Sequence, residues 1–355
     1  MKINIIILHI ALLVPSCIST KEQKKLRWGI LSTAVFSEDI VKTIRQSDRS
    51  EVAAVASRSL QKAQDYANKH QIPIAYASYE ELIDDPSIDV IFNPLPNSMH
   101  GTWTVKAAQS GKHVLCEKPL VTTLEELDAI EKAAQDHNVT IFEAFAYLHH
   151  PQTTKLKELM AAKRIGDIRS INCWLSINLP QRFAMNEQDP NHIRLRPELC
   201  GGSLWDLGSY CTSIILTLQP EAHVENILAF TRTGKTSVDV QSTVTLKLSN
   251  GVIAQFSTDF YAPYRAGLHI VGTHGSIEVD APWHPFFFDN KDSHITVTDN
   301  DSNKEVYPFN GNLYLYEIQA MEACILDNAK PVVSLAESRA FLQTMLKIKK
   351  HAIVC

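Results

Sequence analysis

Leu26-Arg27-Trp28-Gly29-Ile30-Leu31 is a short apolar run that ends in three small residues, Ser32-Thr33-Ala34. A helical pattern follows at once. From Ser37 to Ser47, Ile40, Val41 and Ile44 recur on one face, the spacing of a helix lying on a sheet. Glu51-Val52-Ala53-Ala54-Val55-Ala56 reads as a second buried strand, Ser57-Arg58-Ser59 stands at its end, and Leu60 to Lys69 reads as a helix with Ala63, Tyr66 and Ala67 inward. The alternation continues through strand Val90-Ile91-Phe92, helix Thr102 to Ser110, strand Lys112 to Cys116, helix Leu124 to Asn138 and strand Thr140 to Ala144. Strands alternating with helices of about 10–15 residues imply an α/β fold with a doubly wound parallel sheet of Rossmann type. Such sheets bind ligands beyond the carboxyl ends of their strands.

The first β–α turn carries a degraded nucleotide fingerprint. Where G-x-G-x-x-G is expected, the chain has Gly29-Ile30-Leu31-Ser32-Thr33-Ala34. Gly29 is expected to serve the tight turn, and Ser32, Thr33 and Ala34 are small enough for a pyrophosphate to approach the helix N-terminus. An NAD site usually places Asp or Glu at the end of the second strand. Here Ser57, Arg58 and Ser59 offer a guanidinium and two hydroxyls, which suits the 2′-phosphate of NADP. NAD stays as the alternative, with Arg58 then a solvated loop residue.

After Pro151 the pattern changes. A helix over Thr153 to Lys163 leads into long alternating strands: Ile168–Leu179, Glu225–Thr233, Ser237–Leu248, Val252–Phe260 and Ala266–Gly272. Turns such as Ser249-Asn250-Gly251 favour antiparallel hairpins. The second half is therefore expected to be an α+β domain on a large, open, mostly antiparallel sheet, closed by helices over Tyr314–Ile325 and Leu335–Lys350. Helices cover one sheet face; the other, if apolar, packs on another subunit. The expected division is a leader over 1–25, a dinucleotide-binding domain over 26–146, and a substrate-binding and oligomerisation domain over 147–355, whose last helices pack back on the first.

The bulk composition fits that body. The 355 residues are 45% hydrophobic and 21% charged with a formal charge of −5, which excludes a disordered chain and gives no electrostatic grip on nucleic acid. Seven cysteines stand singly with no C-x-x-C pair, so neither a structural zinc site nor a disulfide framework is expected. No histidine–carboxylate set has ligand spacing, and no metal is expected. The first residues differ from the rest. Met1-Lys2, an apolar run from Ile3 to Val14, and Pro15-Ser16-Cys17 describe a signal peptide, with Cys17 a candidate lipidated residue. The same stretch also reads as a buried strand or as the product of a misplaced start codon. Location thus stays open between export and cytoplasm.

Two segments are more specific. Asn93-Pro94-Leu95-Pro96-Asn97-Ser98-Met99-His100 follows one strand, and Cys116-Glu117-Lys118-Pro119-Leu120 follows the next. With Glu143-Ala144-Phe145, His149-His150-Pro151-Gln152, Asp189–Leu195 and Gly201–Tyr210, they resemble the glucose–fructose oxidoreductase / inositol dehydrogenase (Gfo/Idh/MocA) family. The wording is most similar to the branch of NADP-dependent D-xylose dehydrogenases and dimeric dihydrodiol dehydrogenases. The resemblance runs from about Arg27 to the last helix. It implies that Lys118 is the catalytic lysine, that Tyr210 is the tyrosine that replaces the histidine of inositol dehydrogenases, and that Asp206 is the acid four residues before it. It further implies that Pro94, Asn97, His100, Glu117, Lys118 and Trp205 face the cofactor, that Lys118, Arg194, Asp206 and Tyr210 face the substrate, and that the chain forms a homodimer or homotetramer through its large sheet. This sequence departs from the pattern at Ser32, where many members have Gly, and at Cys200.

Oxidising a carbinol needs a hydride acceptor and a base for the hydroxyl proton; reduction needs the same group as an acid. Lysine and tyrosine both start near pKa 10, and a positive charge nearby lowers either, so Lys118 and Tyr210 are expected to act as a coupled pair. Asp206 and Tyr210 share a face if Trp205–Leu218 is a helix. The expected function is an oxidoreductase moving a hydride between NADP(H) and a hydroxyl or carbonyl carbon of a sugar or cyclic polyol. The alternatives are an exported sugar oxidoreductase that retains its NADP and a silent nucleotide- or sugar-binding homologue.

Overall fold

The computed structural model describes residues 25–186, 189–283 and 292–355. The expected leader lies, apart from Lys25, outside the described residues. The first sheet is built from β1 (Leu26–Leu31), β2 (Ser50–Ala56), β3 (Ile74–Tyr76), β4 (Val90–Asn93), β5 (His113–Glu117) and β6 (Ile141–Ala144), with α1 (Val35–Ile44), α2 (Leu60–His70), α3 (Tyr79–Asp84), α4 (Asn97–Gln109) and α5 (Leu124–His137) between them. Its order is β3-β2-β1-β4-β5-β6, and every pairing is parallel. The strands are apolar on both faces because helices cover both. Trp28, Ile30, Val55, Phe92 and Leu115 are all fully buried, each worth about 1.5–3 kcal/mol relative to exposure.

Local chemistry sets the helix ends. Ser59, Ser78 and Thr123 cap α2, α3 and α5 by accepting an amide three residues on, and Gln71 and Asn138 close α2 and α5 in the left-handed conformation, an arrangement common at helix C-termini.

The second half begins with α6 (Pro151–Ala161), then β7 (Ile168–Ser176), α7 (Leu179–Phe183) and α8 (Ser209–Leu218). It continues through β8 (Val224–Thr233), β9 (Asp239–Leu248), β10 (Ile253–Asp259), β11 (Arg265–Gly272), β12 (Gly275–Val279), β13 (Ser293–Asp299), β14 (Lys304–Phe309), α9 (Leu313–Asp327), α10 (Leu335–His351) and β15 (Ala352–Val354). These strands form one sheet in the order β14-β13-β12-β11-β7-β10-β9-β8-β15. It is mostly antiparallel, with parallel pairings at β10–β7 and β15–β8. Its inner face, with Val244, Leu246, Ala254, Phe256, Leu268 and Ile270, is buried under α8 and α10. Its outer face leaves Leu228, Phe230 and Ile253 exposed.

The last two helices return to the first sheet. Glu322 of α9 accepts hydrogen bonds from Ser47 and Ser50, both at 2.5 Å, and Asp327 takes a two-pronged pair from Arg49 at 2.8 Å. Arg339 of α10 reaches Asp128 at 2.6 Å and Glu131 at 2.7 Å on α5. The helix expected from Trp205 is present, but its first turn, Leu204–Gly208, is wound more widely than an α-helix and α8 proper starts at Ser209. Gly202, with φ +117°, and the Asp239 carboxylate shape that start. Asp239 Oδ2 accepts the Leu204 amide at 2.6 Å and the Ser203 hydroxyl at 2.8 Å, and a Cβ on Gly202 would meet Asp239 Oδ1 at 2.4 Å.

Candidate active site

A deep cleft lies where the carboxyl ends of β1, β4 and β5 meet the second sheet. On the first-sheet side it is lined by Ala34, Phe36, Pro94, Leu95, Asn97 and Glu117 among others. The β1–α1 turn is held by Ser32, whose φ is +145°, a value that favours glycine. Its hydroxyl accepts the Ala34 amide at 3.1 Å. Ser32 therefore occupies the turn's glycine-like position. The expectation that Gly29 serves that turn is corrected: Gly29 lies inside β1, where a Cβ would meet Leu82 of α3 at 2.6 Å. It allows close helix–sheet packing three residues before the turn.

Further along the sheet edge, Ser57 ends β2 buried, Ser59 caps α2, and Arg58 is exposed with its guanidinium on the Tyr79 hydroxyl. Thr33, Ser57, Arg58 and Ser59 are not among the residues lining the deep cleft; they lie at the ends of β1 and β2, where a Rossmann sheet takes the adenosine end of a dinucleotide. Asn97 lines the cleft and donates to the Cys200 carbonyl at 2.9 Å. His100 is buried, with one ring nitrogen 2.7 Å from the Pro119 carbonyl oxygen and the other 2.6 Å from that of Leu95. It stands between the two turns, and as a neutral ring it donates to one of the two carbonyls. Burial pushes its pKa down to about 4.

Lys118 enters from the end of β5, just before the cis Lys118-Pro119 bond. Its ammonium donates to Asp206 Oδ1 at 2.9 Å and to the Asp206 main-chain oxygen at 2.7 Å. Arg194 Nε donates to the other carboxylate oxygen, Oδ2, at 2.6 Å. Burial alone would raise the Asp206 carboxyl, but Arg194 and Lys118 outweigh it and hold it well below the usual carboxylate range. Asp206 is a fixed anion. Tyr210, four residues after Asp206, also reaches Lys118, with its ring: the ammonium stands 4.7 Å from the ring centroid. Burial pushes the Tyr210 phenol well above its ordinary value, so it stays protonated and is a donor. Glu117, beside Lys118 in sequence, is pushed up to about 7 by burial, against the opposing charge of Lys118.

Lys118, Asp206, Tyr210 and Arg194 thus meet on one wall. Trp205 does not join them. It is 4% exposed, lines a separate small cavity behind the Lys118 turn, and has the Lys349 ammonium 5.3 Å from its ring. Its expected place at the cofactor is corrected, because the widened turn points Asp206 into the cleft and Trp205 away from it. The cleft also contains residues that carry no motif: Leu175 and Ile177, Tyr264, Trp283 and Tyr314. The alternation of β7 puts Leu175 on its inward side, and Ile177 just past its end continues that spacing, a signal available in the sequence. Tyr314, at the start of α9, and Trp283 arrive from distant parts of the chain and had none. Of the three arginines Arg182, Arg194 and Arg196, the first two line the cleft, whereas Arg196 pairs with Glu198 at the surface.

Comparison with known proteins places this geometry. Residues 26–145 match the model of an oxidoreductase family with an NAD-binding Rossmann fold, and residues 153–278 match the GFO/IDH/MocA C-terminal domain. D-xylose 1-dehydrogenase (NADP(+)) 2 of Haloferax volcanii is 35% identical over 256 residues, 72% of this chain and 76% of that protein. Trans-1,2-dihydrobenzene-1,2-diol dehydrogenase of Sus scrofa is 30% identical, covering 92% of this chain and 96% of that one. The fold is shared with a 3-ketoreductase from Actinomadura kijaniata crystallised with NADP and TDP-benzene, at a TM-score of 0.83 and 22% identity over 93% of this chain and 99% of that one. Two family models in series, the relatives and the shared fold agree: the chain belongs to the Gfo/Idh/MocA family of oxidoreductases.

Proposed function

We propose that this chain is an NADP-dependent oxidoreductase that moves a hydride between the nicotinamide and a hydroxyl- or carbonyl-bearing carbon of a sugar or cyclic polyol. The observation that carries this reading is the Lys118 ammonium, held by Asp206 over the Tyr210 ring in a cleft at the carboxyl ends of the parallel strands. Residues 26–146 would hold the dinucleotide and 147–355 the substrate.

The residues present fit the cofactor. Ser32, Thr33 and Ala34 form the turn at the N-terminus of α1, and Arg58 with Ser57 and Ser59 stands where a 2′-phosphate falls. Pro94, Asn97 and Glu117 line the cleft where the nicotinamide half would lie. NADP supplies or accepts the hydride. Lys118 moves the proton: as an ammonium it donates to the carbonyl oxygen in reduction, and as an amine it accepts the hydroxyl proton in oxidation. Asp206 stays charged throughout, so it orients Lys118 and accepts a substrate hydroxyl without titrating itself. Tyr210 contributes a phenol that stays protonated and can donate to the same substrate oxygen, while Arg194 fixes Asp206 from the far side. The branch-level relatives act on xylose and on a dihydrodiol by name; both carry vicinal hydroxyls, and a Lys–Asp pair bridges such a diol well.

We further propose that a second copy of the chain covers Leu228, Phe230 and Ile253 on the outer sheet face, giving a homodimer or homotetramer. Sedimentation velocity should show at least a dimer, with Phe230→Glu shifting it toward monomer; a wild-type monomer at micromolar concentration contradicts this.

Lys118→Met should lower kcat by about 10²–10⁴-fold while NADP still binds, as read by quenching of protein fluorescence; unchanged turnover removes Lys118 from the reaction. Arg58→Ala should weaken NADP binding by about 10–100-fold and leave NAD binding in place, since a charge-assisted contact is worth about 1.5–3 kcal/mol. Equal losses for both nucleotides would assign the 2′-phosphate to other residues.

A further inference from the structure

We propose that Glu143 is a positioning residue for Lys118: from β6 its carboxylate holds the main chain of the Lys118-Pro119-Leu120 turn and so sets where the ammonium stands. This rests on the reading of Lys118 as the proton-moving group.

Glu143 is 5% exposed and lies beside Cys116 in the parallel register of β6 and β5. Its Oε1 accepts the Leu120 amide at 2.9 Å, two residues beyond Lys118. On the other side of the same turn, the Pro119 carbonyl oxygen meets the His100 ring at 2.7 Å. The turn is thus tied at consecutive residues, from α4 through His100 and from β6 through Glu143. Ser338 of α10 lines the same small cavity as Glu143, whose second carboxylate oxygen, Oε2, is buried with no hydrogen-bond partner among the described residues.

The surroundings make a carboxyl here costly. The small cavity that Glu143 borders is walled by Leu127, Phe145, Trp205, Phe341, Leu342 and Met345, and burial pushes the Glu143 carboxyl up to about 7 against the opposing contacts of Ser338, Leu120 and Lys118. A residue needed only to fill that space would be apolar like its neighbours. What Glu143 adds is an acceptor for an amide facing an otherwise apolar wall. Without it, the Leu120 N–H is buried and unsatisfied, and the turn must move to relieve it. A displacement of about 1 Å in a reacting group costs roughly 100-fold in rate. Glu143 itself touches neither substrate nor the reacting atoms.

The experiment compares Glu143→Met, Glu143→Gln and Glu143→Asp in the full chain, after wild-type NADP-linked turnover has been found on a panel of aldoses, inositols and cyclic diols. Glu143→Met should lower kcat by about tenfold or more while the Kd for NADP, read by fluorescence titration, stays within about threefold. Glu143→Gln should restore kcat to within about threefold of wild type, because its amide oxygen accepts the same N–H. If the Met variant does not fold, Glu143→Asp keeps the charge and withdraws the oxygen by one methylene, and should show the same split. A crystal structure of whichever impaired variant folds should show the Lys118 Nζ–Asp206 Oδ1 contact, now 2.9 Å, lengthened beyond hydrogen-bond distance. Wild-type kcat in Glu143→Met, equal impairment of the Gln and Met variants, parallel losses of kcat and NADP binding, or an unchanged Lys118–Asp206 contact would each overturn the proposal. Failure to find any wild-type turnover would strike the functional reading instead, and the crystallographic contact would still decide the role of Glu143.

Discussion

The ion pair between Lys118 and Asp206 joins two parts of the chain that share nothing else in sequence. Lys118 ends a strand of the parallel sheet; Asp206 sits in a widened helical turn against the second sheet, 88 residues on. Taking both charges out of water is costly unless each is paired and hydrogen-bonded, and removing one partner typically costs about 3–5 kcal/mol because the other is left stranded. Arg194 makes the arrangement tolerable by taking the second carboxylate oxygen at 2.6 Å. The Asp206 carboxyl therefore lies below its unfolded value, so the stability it contributes is present above the ordinary carboxylate range and is lost as pH falls through the folded value.

That constraint divides the chemistry among neighbours. Asp206 cannot take a proton at neutral pH, and the Tyr210 phenol, raised by burial, cannot lose one. Lys118 stands between them, its ammonium on the Asp206 carboxylate and over the Tyr210 ring. Glu117 adds a carboxyl pushed up to about 7 by burial, against the charge of Lys118. The helices that return from the end of the chain complete the frame: Glu322 on Ser47 and Ser50, and Arg339 on Asp128 and Glu131, lock α9 and α10 to the sheet that presents Lys118.

The parallel sheet was legible because its strands are buried on both faces and read as uninterrupted apolar runs between amphipathic helices. The three-residue β3 was missed: Ile74-Ala75-Tyr76 is too short to show a period. The motif segments implied Lys118, Asp206 and Tyr210 only through their family resemblance. Of the three, Lys118 alone follows a strand of the parallel sheet, where such sheets bind ligands, while Asp206 and Tyr210 lie in and after the widened helical turn. Two placements failed for physical reasons. Gly29 looked like a turn residue, but whether a glycine serves a turn or a close helix contact depends on Leu82 of α3, which sequence spacing does not reveal. Trp205 looked like a neighbour of the cofactor, but the direction of each side chain in Leu204–Gly208 depends on how Asp239 holds the Ser203 hydroxyl and the Leu204 amide from 35 and more residues away. Tyr314, from the start of α9, and Trp283 complete the cleft from still more distant parts of the chain.

The central claim is that Lys118 and Asp206 act as one unit in the reaction. A double-mutant cycle on kcat with Lys118→Met, Asp206→Asn and the double variant tests it most directly. If Asp206 works by holding Lys118, the double variant should lose about as much as Lys118→Met alone, leaving a coupling on the order of 1–3 kcal/mol. Losses that multiply, with no coupling, would mean that the two residues act separately and would contradict the account.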